Sequence, residues 1–207
     1  APGQASWTGG AVGTTISRQW SHRIKQRKTG SPSDERSAPS TEVTVSPPAP
    51  VHRDLKLVIE QPCATYAECA TARKHLHHPL ILDESATDLA TIARAISSGV
   101  ADGFGMKLTR IGGISGMRAI RDLCHATNTP TSCDDSWGGD IIAAACVHVG
   151  STFHPHLSRG AWISDPYQAK HYDDLHGPRI VNGTIAVPPG PGLGITIPDG
   201  YFGSPIA

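Results

Sequence analysis

Ionisable residues end three apolar runs of this chain at nearly even intervals. Glu60 and Asp83 lie 23 residues apart, and Lys107 follows 24 residues after Asp83. This interval suits one β-strand followed by one crossover helix. Because parallel strands joined by right-handed crossovers point the same way, the residues that end them face one rim of the sheet. The spacing therefore predicts that two acids and a lysine meet at one rim, and the alternative is three unrelated polar strand ends.

The residue types at this rim favour a particular chemistry. Carboxylate oxygens are the ligands that hard divalent cations prefer in proteins. A lysine held next to such a cation can act as a general base that removes a proton. The pattern therefore indicates Glu60 and Asp83 as candidate metal ligands and Lys107 as a candidate base.

Strand and helix signals alternate from residue 51 onward. Strands are predicted at 55–60, 80–83, 103–107 and 130–133, and helices at 66–75, 88–98, 114–125 and 140–149. This alternation predicts an α/β fold with a parallel sheet. A closed eight-stranded barrel needs about 250 residues, and only four to five βα units fit before Trp162. We therefore expect an incomplete TIM-type (β/α) barrel, followed by a Gly/Pro-rich tail with a hairpin at 179–187 around Asn182-Gly183.

Residues 1–50 differ from the rest of the chain in composition and in hydrophobic pattern. They contain 6 Pro, 8 Ser and 5 Gly and show no sustained hydrophobic period. Such a segment cannot bury enough apolar surface to offset its chain entropy, so we predict a disordered, low-complexity segment outside the family fold. Residues 51–207 form the second predicted unit, the partial barrel with its tail. A nucleic-acid-binding arm is the alternative for the basic cluster at 23–28.

The composition argues against several classes of partner. Lys plus Arg and Asp plus Glu number 18 each, so no net charge attracts nucleic acid or a membrane surface. No apolar run approaches the roughly 18 residues that span a membrane. Five scattered cysteines without a C-x-x-C pair argue against a zinc site or a disulfide framework. We expect a soluble, cytoplasmic protein with buried thiols.

Five motifs stand in order along residues 51–200. They are Ile59-Glu60-Gln61-Pro62, Leu82-Asp83-Glu84-Ser85, Lys107 with Arg110-Ile111-Gly112-Gly113, Cys133-Asp134-Asp135-Ser136-Trp137-Gly138-Gly139-Asp140, and Gly190-Pro191-Gly192-Leu193-Gly194. Together they resemble the C-terminal barrel domain of the enolase superfamily, in its mandelate racemase and muconate lactonizing enzyme group. Their details are most similar to the branch that contains cis-3-hydroxy-L-proline dehydratase and the epimerases of proline betaines.

The resemblance implies a function for the three residues at the rim. Enzymes of this family bind Mg²⁺ and remove the proton alpha to the carboxylate of a small molecule. Glu60 and Asp83 match the second and third metal ligands, and Lys107 matches the base that ends the sixth barrel strand. The implied activity is that of a lyase or racemase acting on a proline-like amino acid. The family also suggests a homo-oligomer.

Two further residues are implied as substrate contacts. Asp135, after the seventh barrel strand, and Trp162, near the eighth, match positions that face the cationic nitrogen of the substrate in the proline-derivative branch. A carboxylate pairs with an ammonium, and an indole face attracts it through its quadrupole. The alternatives are a helix-capping role for Asp135, with Asp134 able to take either role, and a packing role for Trp162.

The family pattern contains elements that have no counterpart in this sequence. A Lys-x-Lys pair on the second barrel strand, an acid ending the third strand and the N-terminal capping domain have no match. We expect two carboxylates to bind Mg²⁺ weakly, because more of its first shell must remain water. A truncated chain that is weakly active or inactive is the expectation. The alternative is a non-catalytic half-barrel remnant, or a misassigned gene fragment, that acts at most as a binding partner.

Overall fold

A computed structural model describes residues 56–204, and these contain a five-stranded parallel sheet. The strands are hydrogen-bonded in sequence order: β1 (Ile59–Glu60), β2 (Leu80–Leu82), β3 (Gly103–Lys107), β4 (Thr131–Asp134) and β5 (Ser158–Trp162). The predicted α/β fold with successive parallel strands is confirmed. All five carboxyl ends therefore lie at one rim, as the spacing of the ionisable residues predicts.

Helices connect the successive strands. They are α1 (Tyr66–Arg73), α2 (Leu89–Ser97), α3 (Leu108–Ile111), α4 (Ile114–Ala126) and α5 (Gly139–Gly150). Thr65 and Glu68 form a capping box at the start of α1, and the Asp88 side chain accepts a hydrogen bond from the Thr91 amide at the start of α2. These caps satisfy backbone amides that have no partner within the helix, which fixes where each helix begins.

The single-turn helix α3 is a feature that the periodicity does not predict. It begins directly after Lys107 and ends at Ile111, where Gly112 caps it with φ +86°, followed by Gly113 with φ +101°. Residues with side chains rarely adopt such angles, so these two glycines allow the chain to turn sharply before α4. The rim-facing end of β3 is thus followed by a tight loop instead of one long helix.

The hydrophobic core lies between the sheet and the helices. Its fully buried members come from strands and helices alike and include Leu80, Ile92, Phe104, Met106 and Ile120. The alternation along β3 and β4 places Met106 opposite Cys133 in this core. Lys107 and Asp134 follow them by one residue and therefore face the other side of the sheet.

The chain after β5 folds back against α5. It forms one 3₁₀ turn (Asp165–Tyr167) and a two-stranded antiparallel hairpin, β6 (Ile180–Val181) with β7 (Thr184–Ile185). Asn182 and Gly183 occupy the turn with φ of 50° and 73°, which confirms the predicted hairpin. Asp140 ties this segment to α5, because its buried carboxylate accepts hydrogen bonds from His171 and from the amides of Tyr172 and Asp173.

The predicted boundaries of the helices and sheet strands are correct to within two residues, except for the strand predicted at 55–60, whose predicted start lies outside the described residues. Strand β4 extends one residue beyond its predicted end to include Asp134, and β1 is a two-residue strand within the described part of the chain. The predicted disordered segment at 1–50 lies outside the described residues. In residues 56–204, no helix is both long enough and apolar enough to cross a membrane.

Asp173 should make the stability of the segment after β5 depend on pH. The amides of Thr196 and His176, and then that of Leu175, donate to its carboxylate and lower its pKa to about 2. An unfolded chain would have a value of about 3.9. Because the folded pKa is the lower one, the stabilisation is complete above about 3.9 and is lost as the pH falls toward 2.

We therefore expect the stability of Asp173→Asn to fall less at acidic pH than the stability of the wild-type chain. The urea midpoint of the wild-type chain should fall more steeply between pH 5 and pH 2.5 than that of the variant. Asp174→Asn is the matched control, because Asp174 is exposed. An acid limb in Asp173→Asn as steep as that of the wild type would rule this explanation out.

Candidate active site

Three acidic side chains converge on the backbone of β3. A methyl group placed on the α-carbon of Gly105 would lie 3.3 Å from Oδ2 of Asp134, 3.4 Å from Oε1 of Glu60 and 3.5 Å from Cβ of Asp83. The distance to Asp134 is tighter than most Cβ contacts and the other two are ordinary van der Waals contacts, so glycine at this position leaves room for the three acids. The structure thus brings Glu60 and Asp83 together at the rim, with Asp134 as a third acid.

Two cations hold the carboxylate of Asp83. The Nζ atom of Lys107 donates to Oδ2, and Nη1 of Arg110 lies 2.7 Å from Oδ1. Asp83 is nearly buried, with 8% of its side chain exposed, whereas Lys107 retains 21%. The predicted base therefore lies beside a predicted metal ligand and remains accessible from the rim.

Gln61 links the ends of the first two strands. Its Oε1 atom accepts hydrogen bonds from the amides of Asp83 (3.0 Å) and Ser85 (3.2 Å). Its Nε2 atom donates to Oγ of Ser85 at 2.6 Å. Gln61 has φ +36°, an unusual angle for a residue with a side chain. Because Glu60 directly precedes Gln61, these hydrogen bonds fix the position of Glu60 relative to Asp83.

The crowding of carboxylates changes their acidity. Burial, followed by the charge of Asp83, raises the pKa of Glu60. Burial is also the largest cause that raises the pKa of Asp134, to about 6, and the charges of Asp83 and Glu60 add to it. Lys107 acts in the opposite direction on both groups. At this rim, burial therefore disfavours the charged form of Glu60 and Asp134 more than Lys107 favours it.

Glu60 and Asp83 are ligands of the type that a hard divalent cation prefers, but they are few. Carboxylate oxygens are the donors that Mg²⁺ takes, and a cation near Glu60 and Asp83 would offset their mutual repulsion. Within residues 56–204, however, no group of three or more His, Cys, Asp or Glu side chains has the arrangement of a metal site. The two predicted ligands here are the carboxylates of Glu60 and Asp83, and Asp134 is the third carboxylate at the rim.

Asp134 and Asp135 occupy very different environments. Asp134 pairs in register with Lys107 on one side and with Trp162 on the other, so it lies on the same face of the sheet as Lys107. Asp135 is fully buried, and its oxygens accept hydrogen bonds from the Trp137 amide (2.8 Å) and from the amide and hydroxyl of Ser164 (2.8 and 3.0 Å). Asp135 thus joins the ends of β4 and β5, and the acid beside Lys107 is Asp134.

Trp162 belongs to an exposed group of aromatic rings. Its ring centroid lies 5.4 Å from that of Trp137 and 6.4 Å from that of Tyr167, and Trp137 and Tyr167 are 5.6 Å apart. All three are exposed, at 40% for Trp162, 64% for Trp137 and 69% for Tyr167. We call these three residues the aromatic cluster. Since Trp162 is paired in register with Asp134, the cluster lies next to the acidic rim.

A family model and curated relatives identify the same family for this chain. Residues 50–200 match the family described as Enolase C-terminal domain-like. Cis-3-hydroxy-L-proline dehydratase from Roseibium aggregatum is 34% identical over 154 residues, which are 74% of this chain and 41% of that protein. An o-succinylbenzoate synthase from Geobacillus kaustophilus is 28% identical over 147 residues, 68% of this chain and 38% of its own. The chain spans about two fifths of the length of these curated relatives.

Solved structures agree with this comparison. A mandelate racemase/muconate lactonizing enzyme from Roseovarius nubinhibens ISM is 32% identical with a TM-score of 0.69, covering 75% of this chain and 42% of that one. A second structure from the same organism, complexed with magnesium, is 29% identical with a TM-score of 0.70 and covers the same shares. The chain therefore belongs to the enolase superfamily, and its five parallel strands correspond to part of the C-terminal barrel domain.

Proposed function

We propose that this chain carries the strand-end residues of a Mg²⁺-dependent lyase or racemase that removes the proton alpha to a carboxylate. The observation that carries the proposal is the convergence of Glu60, Asp83 and Lys107 at one rim, in the order that the family resemblance predicts. An α-proton beside a carboxylate is very weakly acidic, so its removal needs both a base and compensation of the developing negative charge.

Glu60 and Asp83 are the proposed Mg²⁺ ligands. When bound, the ion would supply positive charge next to the substrate carboxylate, as in enolase-superfamily sites generally. Burial and the charge of Asp83 raise the pKa of Glu60, and a cation bound beside Glu60 would favour its charged form. With two carboxylates as donors, we expect weak binding in which water completes most of the first shell.

Lys107 is the proposed base. Its Nζ atom reaches the rim from the end of β3. As the neutral amine it would take the α-proton directly from the substrate carbon and become an ammonium ion. Gln61 and Arg110 hold the neighbouring Asp83, so the surroundings of Nζ are fixed by hydrogen bonds from two sides. A fixed base loses less freedom in reaching the transition state.

Asp134 and the aromatic cluster are the proposed contacts for a cationic nitrogen. In this proposal Asp134 takes the role that the resemblance gave to Asp135, because both oxygens of Asp135 are engaged by Trp137 and Ser164. Trp162 adjoins Asp134 across the two strands and presents an exposed ring. Together with the similarity to cis-3-hydroxy-L-proline dehydratase, this arrangement supports a proline-like amino acid as substrate.

Replacing Trp162 tests the substrate class. A cation over an indole face contributes about 0.5–2 kcal/mol, so Trp162→Leu should weaken binding of L-proline betaine about 2- to 30-fold by calorimetry. Trp162→Phe should retain part of the affinity. Cyclopentanecarboxylate, which lacks the nitrogen, should bind wild type and Trp162→Leu equally. Equal losses for both ligands would show that Trp162 provides apolar contact and does not recognise charge.

The reaction itself can be followed at the α-carbon. The chain is incubated in D₂O with millimolar Mg²⁺ and either cis-3-hydroxy-L-proline or L-proline betaine, and the α-proton signal is recorded by NMR. We expect slow loss of that signal with Mg²⁺ and none with excess EDTA. Formation of a dehydrated product identifies a lyase, whereas deuterated epimers identify a racemase.

A non-catalytic binding role is a second candidate. Within residues 56–204, β1 and β5 each pair with only one neighbouring strand, so each leaves one edge free to pair with another chain. An absence of α-proton exchange at every Mg²⁺ concentration, together with stable association of the chain with a partner, would favour this role over the enzymatic one.

A further inference from the structure

We infer that Arg110 is a positioning residue that determines which oxygen of Asp83 faces the acidic rim. This inference rests on the proposed role of Asp83 as a metal ligand. The Nη1 atom of Arg110 donates both to Oδ1 of Asp83, at 2.7 Å, and to the backbone carbonyl of Asp83. One guanidinium nitrogen therefore ties the Asp83 side chain to its own backbone.

Helix α3 explains how Arg110 reaches Asp83. The helix is a single turn that begins after Lys107, so Arg110 stands on it three residues beyond the proposed base, which ends β3. The Gly113 amide closes this turn on the carbonyl of Leu108 at 2.8 Å, and Gly112 and Gly113 both have positive φ. The loop thus directs Lys107 and Arg110 to opposite oxygens of one carboxylate.

The other atoms of Asp83 are fixed as well. Its amide donates to Gln61, and its carbonyl accepts the amide of Ala86 at 2.9 Å in addition to Arg110. Rotation of the carboxylate would break the bond of Oδ1 to Arg110, so Oδ2 stays on the side of Lys107. Asp83 therefore keeps Oδ2 on the side of the rim, beside Nζ of Lys107, and a cation that bound there would take this one oxygen as a monodentate ligand.

Arg110 could instead act only through its charge, and the two roles predict different effects of substitution. A lysine keeps the positive charge, but its side chain is shorter and its ammonium lacks the planar guanidinium geometry that fixes where Nη1 of Arg110 points. If position matters, Arg110→Lys should weaken cation binding. If charge alone matters, Arg110→Lys should have no effect, and Arg110→Met should strengthen cation binding because it removes a repelling charge.

The experiment uses the full chain with Mn²⁺ as the spectroscopic probe. Residues that orient a metal ligand typically change affinity about 10–100-fold, and we expect a loss of that size for Arg110→Lys and Arg110→Met in a titration followed by electron paramagnetic resonance. Arg118→Lys, an exposed arginine on α4, should bind as the wild type does. A thermal midpoint of Arg110→Lys close to that of the wild type would separate positioning from general destabilisation.

Hydrogen exchange gives a readout that needs no metal. In Arg110→Lys the amide of Ala86 should exchange at least about tenfold faster, because Arg110 no longer holds the Asp83 carbonyl that accepts this amide. Unchanged exchange, Mn²⁺ affinity of Arg110→Lys equal to that of the wild type, or tighter binding by Arg110→Met would each overturn the inference. A wild-type chain that binds no Mn²⁺ overturns the proposed metal role instead, and the Ala86 amide then decides the role of Arg110 alone.

Discussion

Lys107→Ala is expected to lower the rate of α-proton exchange by about 10²–10⁴-fold, the usual contribution of a positioned general base. The reason is that Nζ of Lys107 is the proposed proton acceptor, at the rim beside Asp83. The rate is measured by NMR in D₂O with the substrate and Mg²⁺ at fixed concentrations. Binding of Mn²⁺ should be retained, because Lys107 is not a proposed ligand.

Two variants control this prediction. Lys170→Ala removes an exposed lysine after β5 and should exchange the substrate as the wild type does. Lys107→Arg keeps the charge beside Asp83 but does not provide a base at neutral pH, so it should be as slow as Lys107→Ala. Exchange at the wild-type rate in Lys107→Ala would remove Lys107 from the proposed mechanism.

Asp83→Asn and Glu60→Gln should each weaken Mn²⁺ binding by more than about 100-fold. Even residues outside the first shell of a metal change its affinity 10–100-fold when they are replaced, and each of these variants removes one of the two proposed carboxylate ligands. The affinity is measured by the loss of the free Mn²⁺ signal in electron paramagnetic resonance. Asp174→Asn, on the exposed surface of the tail, is the matched control and should not change it.

The same two variants should differ in stability. Asp83→Asn leaves Lys107 and Arg110 without their carboxylate partner in a partly buried site, so its thermal midpoint should fall. Glu60→Gln removes a carboxylate whose pKa burial and Asp83 raise, so its thermal midpoint should stay level or rise. Equal Mn²⁺ affinity in wild type and both variants would show that these acids serve the fold and not a cation.

Much of the fold follows from local signals in the sequence. The spacing of Glu60, Asp83 and Lys107 predicts the shared rim because strand and crossover lengths are regular. Asn182-Gly183 predicts the hairpin because both residues tolerate positive φ. Helix α3 could not be predicted from hydrophobic periodicity, since one turn is shorter than any detectable period. The Gly112-Gly113 pair is the signal that marks its end.

The choice between Asp134 and Asp135 shows where sequence reasoning is insufficient. Adjacent identical residues differ only in the face of the strand that they occupy, and a shift of one residue in register exchanges them. Cys133 gives a usable signal, because a buried apolar residue there predicts that Asp134 points to the opposite face. The contacts of Asp135 with Ser164 depend on a segment 29 residues away and have no local signature.

Arg110 is likewise a residue that the pattern alone could not assign. Its sequence position beside Ile111-Gly112-Gly113 marks a motif, but its partner Asp83 is 27 residues earlier in the chain. Trp162 is exposed beside the rim, and its role as a substrate contact stays a prediction. The predicted truncation, the activity of the chain and its oligomeric state also stay predictions.

The dependence of α-proton exchange on Mg²⁺ concentration, measured side by side in wild type, Asp83→Asn and Lys107→Ala, tests the proposed site most directly. The proposed site predicts wild-type exchange that rises with Mg²⁺ and saturates, a curve for Asp83→Asn shifted by more than about 100-fold in Mg²⁺, and a rate for Lys107→Ala that stays low at every concentration. Exchange that is independent of Mg²⁺, or that persists at the wild-type rate without Lys107, would contradict it.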